Sequence, residues 1–272
     1  MGSFLDARHA GGRWLVRMED VDTPRVRRNA DSLILGTLET LGLQWDGDVL
    51  YQSSRLPAYA EATHRLFAAS LLYPCSCKRR EVSGRAYPGT CRGKRLQDRP
   101  GRSLRLHVTP GYITFMDDIQ GLARQDVAVE TGDFILRRAD GLTAYHLAVV
   151  VDDHWQGVTR VVRGADLLES TAAQLHVQKS LRLPAPEYSH LPMAVDAQGR
   201  KISKSLGAEA VLLKTRPGAL LLSVLGFLGQ DPEPALAGST VHDILAWATR
   251  HWRREDVPKV RQLLPVWWSG AN

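Results

Sequence analysis

The sequence predicts an α/β fold of the doubly wound kind, a mainly parallel sheet flanked by helices, and three observations carry that expectation. Arg13–Met18 alternates as a strand, and a helical period through Leu33, Ile34, Leu38 and Leu41 follows it up to Gly42. Leu147–Val151 is a continuous apolar run, as a strand buried on both faces of a parallel sheet requires. A helical segment, Leu167–Leu181, comes after the strand expected at Val158–Val162, so strand and helix alternate.

Each element has its own warrant. Pro24 suits the first turn of a helix because its ring fixes φ and its missing N–H would be unpaired there anyway. Gln52–Leu72 reads as a second helix with Tyr59, Leu66 and Phe67 among its core candidates. From Tyr73 to about Gly101 the chain is rich in Cys, Gly, Pro and Arg, shows no apolar period, and needs something other than a core to hold it. Strand patterns return at Ser103–Val108, Tyr112–Met116, Phe134–Arg137, Ala144–Val151 and Val158–Val162. Asp152, Asp153 and His154 then read as a turn and helix cap rather than as acid–base or metal groups. After Ser205 the chain turns helical over Ala219–Leu228 and Val241–Trp252, with a short stretch to Trp267 and Trp268.

The 272 residues suffice for one large domain or two modest ones, and a hydrophobic fraction of 44% with 24% charged residues excludes wholesale disorder and collagen-like repeats. The longest nearly apolar run, Ala219–Gly229, is too short to span a bilayer. No secretory leader is expected, and three cysteines, an odd number, exclude a disulfide framework and fit a reducing cytoplasm. The net charge of +6 is unevenly placed. Lys78–Arg105 holds ten basic residues against Glu81 and Asp98, so this segment carries +8 and the remainder about −2.

Three groups of residues suit chemistry. Lys201–Ser205 sets two lysines, Lys201 and Lys204, three residues apart after a glycine-containing approach. Such a loop can close over a triphosphate and offset charge developing on its phosphates, or it can be a solvated basic loop. Cys75, Cys77 and Cys91 fall within seventeen residues of the segment without a core. With a fourth ligand, locally Tyr87, they would make a closed zinc site that supplies folding energy; otherwise they are buried free thiols. Arg163 stands at the carboxyl end of one strand and Glu19 after another, with Tyr145 in a third. At the ligand-binding end of a doubly wound sheet they could read a zwitterionic acid, guanidinium to carboxylate and Glu19 to ammonium, or be ordinary sheet-end charges.

In order and spacing, Gly12–Asp22, Gly42–Asp46, Cys75/Cys77 with Tyr87/Cys91, Ala144–His154, Val162–Asp166 and Lys201–Ser205 resemble the glutamyl-tRNA synthetase group of class I aminoacyl-tRNA synthetases, and within it the short paralogues. That resemblance implies a Rossmann-like class I catalytic fold: 1–72 its first half, 73–130 an inserted zinc-binding lobe, 131–205 its second half, and 206–272 a helical C-terminal region. It implies that Glu19, Tyr145 and Arg163 bind glutamate, that Lys204 contacts ATP with Lys201 assisting catalysis, and that Cys75, Cys77, Tyr87 and Cys91 hold one zinc ion. The activity implied is activation of L-glutamate by ATP with Mg²⁺, without tRNA, and transfer to queuosine of tRNA(Asp), by a cytoplasmic monomer.

The family's opening strand and His-x-Gly-His-like turn have no counterpart here. The chain is expected to begin about 25 residues later, with Gly2 and Ser3 on a helix and His9 exposed at its end. Two rival readings follow. A full-length glutamyl-tRNA synthetase would need a large anticodon-binding region, whereas 67 residues follow Ser205. A non-catalytic, zinc-stabilised RNA-binding protein is the other.

Overall fold

The computed structural model describes residues 1–22, 26, 28–82, 86–202 and 216–266. Its first half runs α1 (Gly2–His9), β1 (Arg17–Met18), α2 (Ala30–Thr40), β2 (Leu50–Tyr51), α3 (Leu56–Ala68), β3 (Leu72–Cys75), α4 (Arg79–Val82) and β4 (Ser103–Leu106). Then come β5 (Tyr112–Asp117), β6 (Gly121–Asp126), α5 (Val127–Glu130), β7 (Ile135–Arg137), α6 (Tyr145–Gln156), β8 (Arg160–Gly164), α7 (Leu168–Leu181) and β9 (Glu187–Leu191). The last elements are β10 (Met193–Ala194), α8 (Pro217–Phe227), α9 (Val241–His251) and β11 (Gln262–Leu263).

The α/β class holds, with the strands divided among four small sheets within the described residues. Pairing is parallel in β1–β2, in β10–β11 and along β5–β9–β8, whereas β6 joins β5 antiparallel and β3–β4–β7 is wholly antiparallel. One core lies between α3, α6, α7 and the antiparallel sheet, centred on Leu66, Leu106, Leu136, Leu147 and Val177. A second joins α1 to α8 and α9 through Phe4, Leu5, Leu225, Ile244 and Trp252. The buried Asp6 carboxylate fastens that junction, accepting from Trp252 Nε1 at 3.1 Å and Arg254 Nε at 2.8 Å.

Several local expectations are corrected. Ala144–Val151 is not a strand: its residues open α6, which closes at Gly157 in the left-handed conformation, φ +67°. Leu147, Ala148, Val149 and Val150 are all buried because this stretch of the helix is packed by α3, α7 and β7, and a helical turn buried all round shows the same unbroken apolar run as a buried strand. Tyr145 therefore stands in a first helical turn, and Asp152–His154 lie inside α6 rather than in a turn or cap. Asp152 is fully buried and accepts from Tyr59 Oη (2.5 Å), Gln52 Nε2 (3.0 Å) and Arg55 Nε (3.1 Å).

The Gln52–Leu72 helix is shorter than expected, a 3₁₀ turn over Gln52–Arg55 preceding α3, while Leu72 already belongs to β3. Helix α2 begins at Ala30 after Asn29 in the left-handed region, and Pro24 lies outside the described residues. Its Leu33 and Ile34 are exposed. Gly42 does end the helical stretch: φ is +66°, and a Cβ there would meet Val241 Cγ1 of α9 at 2.8 Å. The cysteine segment also has a small core of its own, Tyr73, Cys75, Tyr87 and Cys91. His9 is exposed at the end of α1, as expected.

Candidate active site and metal centre

Strand β8 carries Arg163 one residue before its carboxyl end, next to the start of α7. Its parallel register sets Arg163 beside His190 of β9, and Arg163 Nε donates to His190 Nε2 at 3.0 Å. Arg163 Nη2 donates to Thr171 Oγ1 of α7 at 3.0 Å. His190, fully buried, lies 2.6 Å through Nδ1 from Asp117 Oδ2 at the end of β5.

Glu19 follows β1 and Tyr145 opens α6. The positive field of Arg163 acts on both, so the three predicted residues share one electrostatic environment. Partial withdrawal from water raises the Glu19 pKa against the pull of Arg17, whose Nη2 is 3.8 Å away. Desolvation, and then the negative Glu19, hold the Tyr145 phenol above its ordinary value. Next to it, burial and the Arg163 charge lower His146 to about 4, so this imidazole is neutral near pH 7. Arg17 is pinned by α6, donating through Nη1 to Asp153 Oδ1 and Gln156 Oε1, each at 2.8 Å.

Lys201 reaches the same end of the sheet. A tight turn, in which Asp196 accepts from the backbone N–H groups of Gln198 and Arg200, brings it back against Val195. Its Nζ donates to Asp166 Oδ2 at 2.8 Å, three residues past Arg163. Lys204 lies outside the described residues. A cleft of about 790 Å³ lined by His64, His107, His176 and Lys179 opens at the far, C-terminal end of α7. There Arg65 caps the helix by donating to the Leu181 carbonyl at 3.1 Å.

The cysteines converge as expected. The three sulfurs lie within 4.8 Å of one another, Cys77 and Cys91 at 3.6 Å. Tyr87 Oη joins them, 3.3 Å from Cys75 Sγ and 3.5 Å from Cys77 Sγ. A tetrahedral zinc with ordinary bond lengths has sulfur–sulfur edges of about 3.8 Å and sulfur–oxygen edges of about 3.5 Å, close to these three distances, so the donors suit such an ion. Burial pushes the Cys91 thiol up, but hydrogen bonds from the Ser76 backbone N–H and the Tyr87 hydroxyl outweigh it and bring it to about 6. Arg105 supplies countercharge, its Nε 3.2 Å from Cys75 Sγ and its guanidinium stacked 3.8 Å over the Tyr87 ring. Asp133 ties the lobe to the body, accepting from Tyr73 Oη, from Arg92 through two nitrogens and from the Val108 N–H.

The family model described as tRNA synthetases class I (E and Q), catalytic domain, matches residues 1–109 and 91–217. The chain belongs to this synthetase family.

Among relatives of this synthetase, the glutamyl-Q tRNA(Asp) synthetase of Dechloromonas aromatica is 50% identical over 274 residues, which span 97% of this chain and 91% of that protein. The glutamyl-Q tRNA(Asp) synthetase of Pseudomonas aeruginosa PAO1 is 45% identical over 267 residues, 97% of this chain and 90% of its own. The glutamate-tRNA synthetase structure from Elizabethkingia anophelis superposes with a TM-score of 0.78 at 21% identity, over 95% of this chain and 62% of that one, a likeness of fold.

Sequence reasoning about the synthetase missed Asp117, His190 and Thr171. A histidine between Ser189 and Leu191 and an aspartate before a Gly121 turn were the available signals. Only the strand order shows that they meet.

Proposed function

We propose that this chain activates L-glutamate with ATP and Mg²⁺, without tRNA, and passes the glutamyl group to queuosine of tRNA(Asp). The observation that carries this reading is the shared field of Arg163, Glu19 and Tyr145 at the carboxyl end of β8. Opposite charges beside a phenol suit an amino acid: Arg163 takes a carboxylate, Glu19 the ammonium, and Tyr145 supplies a hydroxyl. A glutamate carboxylate oxygen attacks the ATP α-phosphorus, the bond to the bridging oxygen breaks, and pyrophosphate leaves. A queuosine hydroxyl then attacks the carbonyl of the mixed anhydride, its proton is lost, and AMP departs.

Lys201 and Lys204 offset charge on the phosphates during the first step. Lys201 is held by Asp166, three residues past Arg163 in the chain, which supports this reading. Cys75, Cys77, Tyr87 and Cys91 hold one zinc ion, which supplies the charge that ionises these ligands and fixes the lobe. The basic lobe grips tRNA phosphates, and the enzyme works as a cytoplasmic monomer. Among the described residues no helix is long and apolar enough to cross a membrane.

Calorimetric titration of the chain with L-glutamate tests the site. Arg163→Ala should weaken binding about 10- to 100-fold, as loss of a charged hydrogen-bond pair does. An unchanged affinity would remove the glutamate assignment. Metal analysis should find about one zinc per chain, lost in Cys75→Ser. Metal-free protein with the same fold would remove the zinc site.

A further inference from the structure

Three neighbouring strands each place one polar side chain in a single line that runs outward from the core: the buried Asp117 at the end of β5, the buried His190 in β9 and the half-buried Arg163 in β8. A guanidinium only donates, so the His190 Nε2 that it meets at 3.0 Å must offer a lone pair. The remaining proton then sits on Nδ1 and is donated to Asp117 Oδ2, 2.6 Å away. Asp117 is itself fixed from several directions. It is buried and accepts from the backbone N–H groups of His190 (3.1 Å), Ile119 (3.1 Å) and Gln120 (2.8 Å).

The line is one-sided in a telling way. The protein holds Arg163 through Nε, to His190, and through Nη2, to Thr171 and the Leu167 carbonyl. Among the described residues Nη1 makes no hydrogen bond, which leaves that edge of the fork for a ligand. A free arginine loses much rotamer freedom when it captures a carboxylate. One already clamped along its other edge has met that cost during folding.

We propose that His190, oriented by Asp117, is the positioning residue that presents Arg163 to the substrate carboxylate. Neither group touches the substrate; both act through the guanidinium. The proposal rests on the glutamate reading of Arg163, and the experiment separates the two.

Glutamate affinity of the chain by calorimetry, and KM values for glutamate and ATP in pyrophosphate exchange, should be compared for Arg163→Ala, His190→Leu, His190→Gln and Asp117→Asn. His190→Leu removes the acceptor at similar size and should weaken glutamate about tenfold, leaving KM for ATP within about twofold. His190→Gln, whose amide oxygen can take the place of Nε2, should restore most of that loss. Equal effects on both substrates, or no rescue by glutamine, would mean a merely structural role and overturn the proposal. If Arg163→Ala leaves glutamate binding unchanged, the glutamate reading itself fails. If Arg163→Ala weakens it and His190→Leu does not, only the positioning role fails. A readout on the unmodified protein stands apart from folding of the variants. Long-range ¹H–¹⁵N correlation should show His190 neutral and protonated on Nδ1, and an Nε2–H tautomer would refute the arrangement.

Discussion

At the scale of single residues, His146 shows how packing sets chemistry. Its ring meets Phe134 edge-on at 5.5 Å and its Nδ1 is buried without a hydrogen-bond partner. Burial first, then the Arg163 charge, lowers its pKa from 6.5 to about 4. The unfolded chain therefore binds a proton that the folded chain refuses between those values. The stability this neutral group allows is fully present above pH 6.5 and is lost as pH falls towards 4, at most about 3 kcal/mol. Urea midpoints taken between pH 7 and 4.5 should fall more steeply for the native sequence than for His146→Gln. Parallel slopes would place the titration elsewhere. Next to it, Tyr145 in the first helical turn feels the Arg163 charge as well, which opposes the upward shift of its phenol.

At the scale of elements, the lobe depends on one glycine. Gly132 pairs with Tyr87 through a bridge, has φ +69°, and a Cβ on it would fall 2.2 Å from the Tyr87 carbonyl oxygen. Backbone cannot yield at that distance, so Gly132→Ala must move Tyr87 and with it the phenol among the thiols. Zinc retention against a chelator should drop at least tenfold in Gly132→Ala while the three cysteines remain; unchanged retention would show that the phenol is not a ligand. The elements also show how far the sequence was legible. Strand β8 and helix α7 were visible because their apolar spacing and flanking turns agree with what they pack against. Helix α6 was not, since burial all round its central turn, Leu147–Val150, erases there the polar face that reveals a helix. The convergence of the cysteines and Tyr87 was legible because the four residues lie within a short stretch of chain. His190 and Asp117 were hidden because their meaning lies in a strand order that spacing does not encode.

At the scale of the molecule, positive charge is concentrated in the cysteine-bearing lobe. Lys94 and Arg95 are exposed there, and a phosphate backbone drawn to them releases counterions. Binding of tRNA(Asp) should weaken linearly with log salt, and the double change Lys94→Ala and Arg95→Ala should reduce that slope by about one to two. An unaltered slope would place the RNA on another face. The two ends of the chain are tied together at Asp6, whose carboxylate accepts from Trp252 and Arg254. The three-strand line behind Arg163 has a kinetic consequence of the same kind. Asp117 and His190 are 73 residues apart in the chain, and His190 and Arg163 are 27 apart. Contacts of such separation are expected to form after the local helices and the β5–β6 hairpin, because loop-closure entropy is met before they reward it. The guanidinium is thus aimed only once β5, β9 and β8 have all docked. A partly folded chain therefore lacks the contacts from β9 and α7 that fix the Arg163 guanidinium.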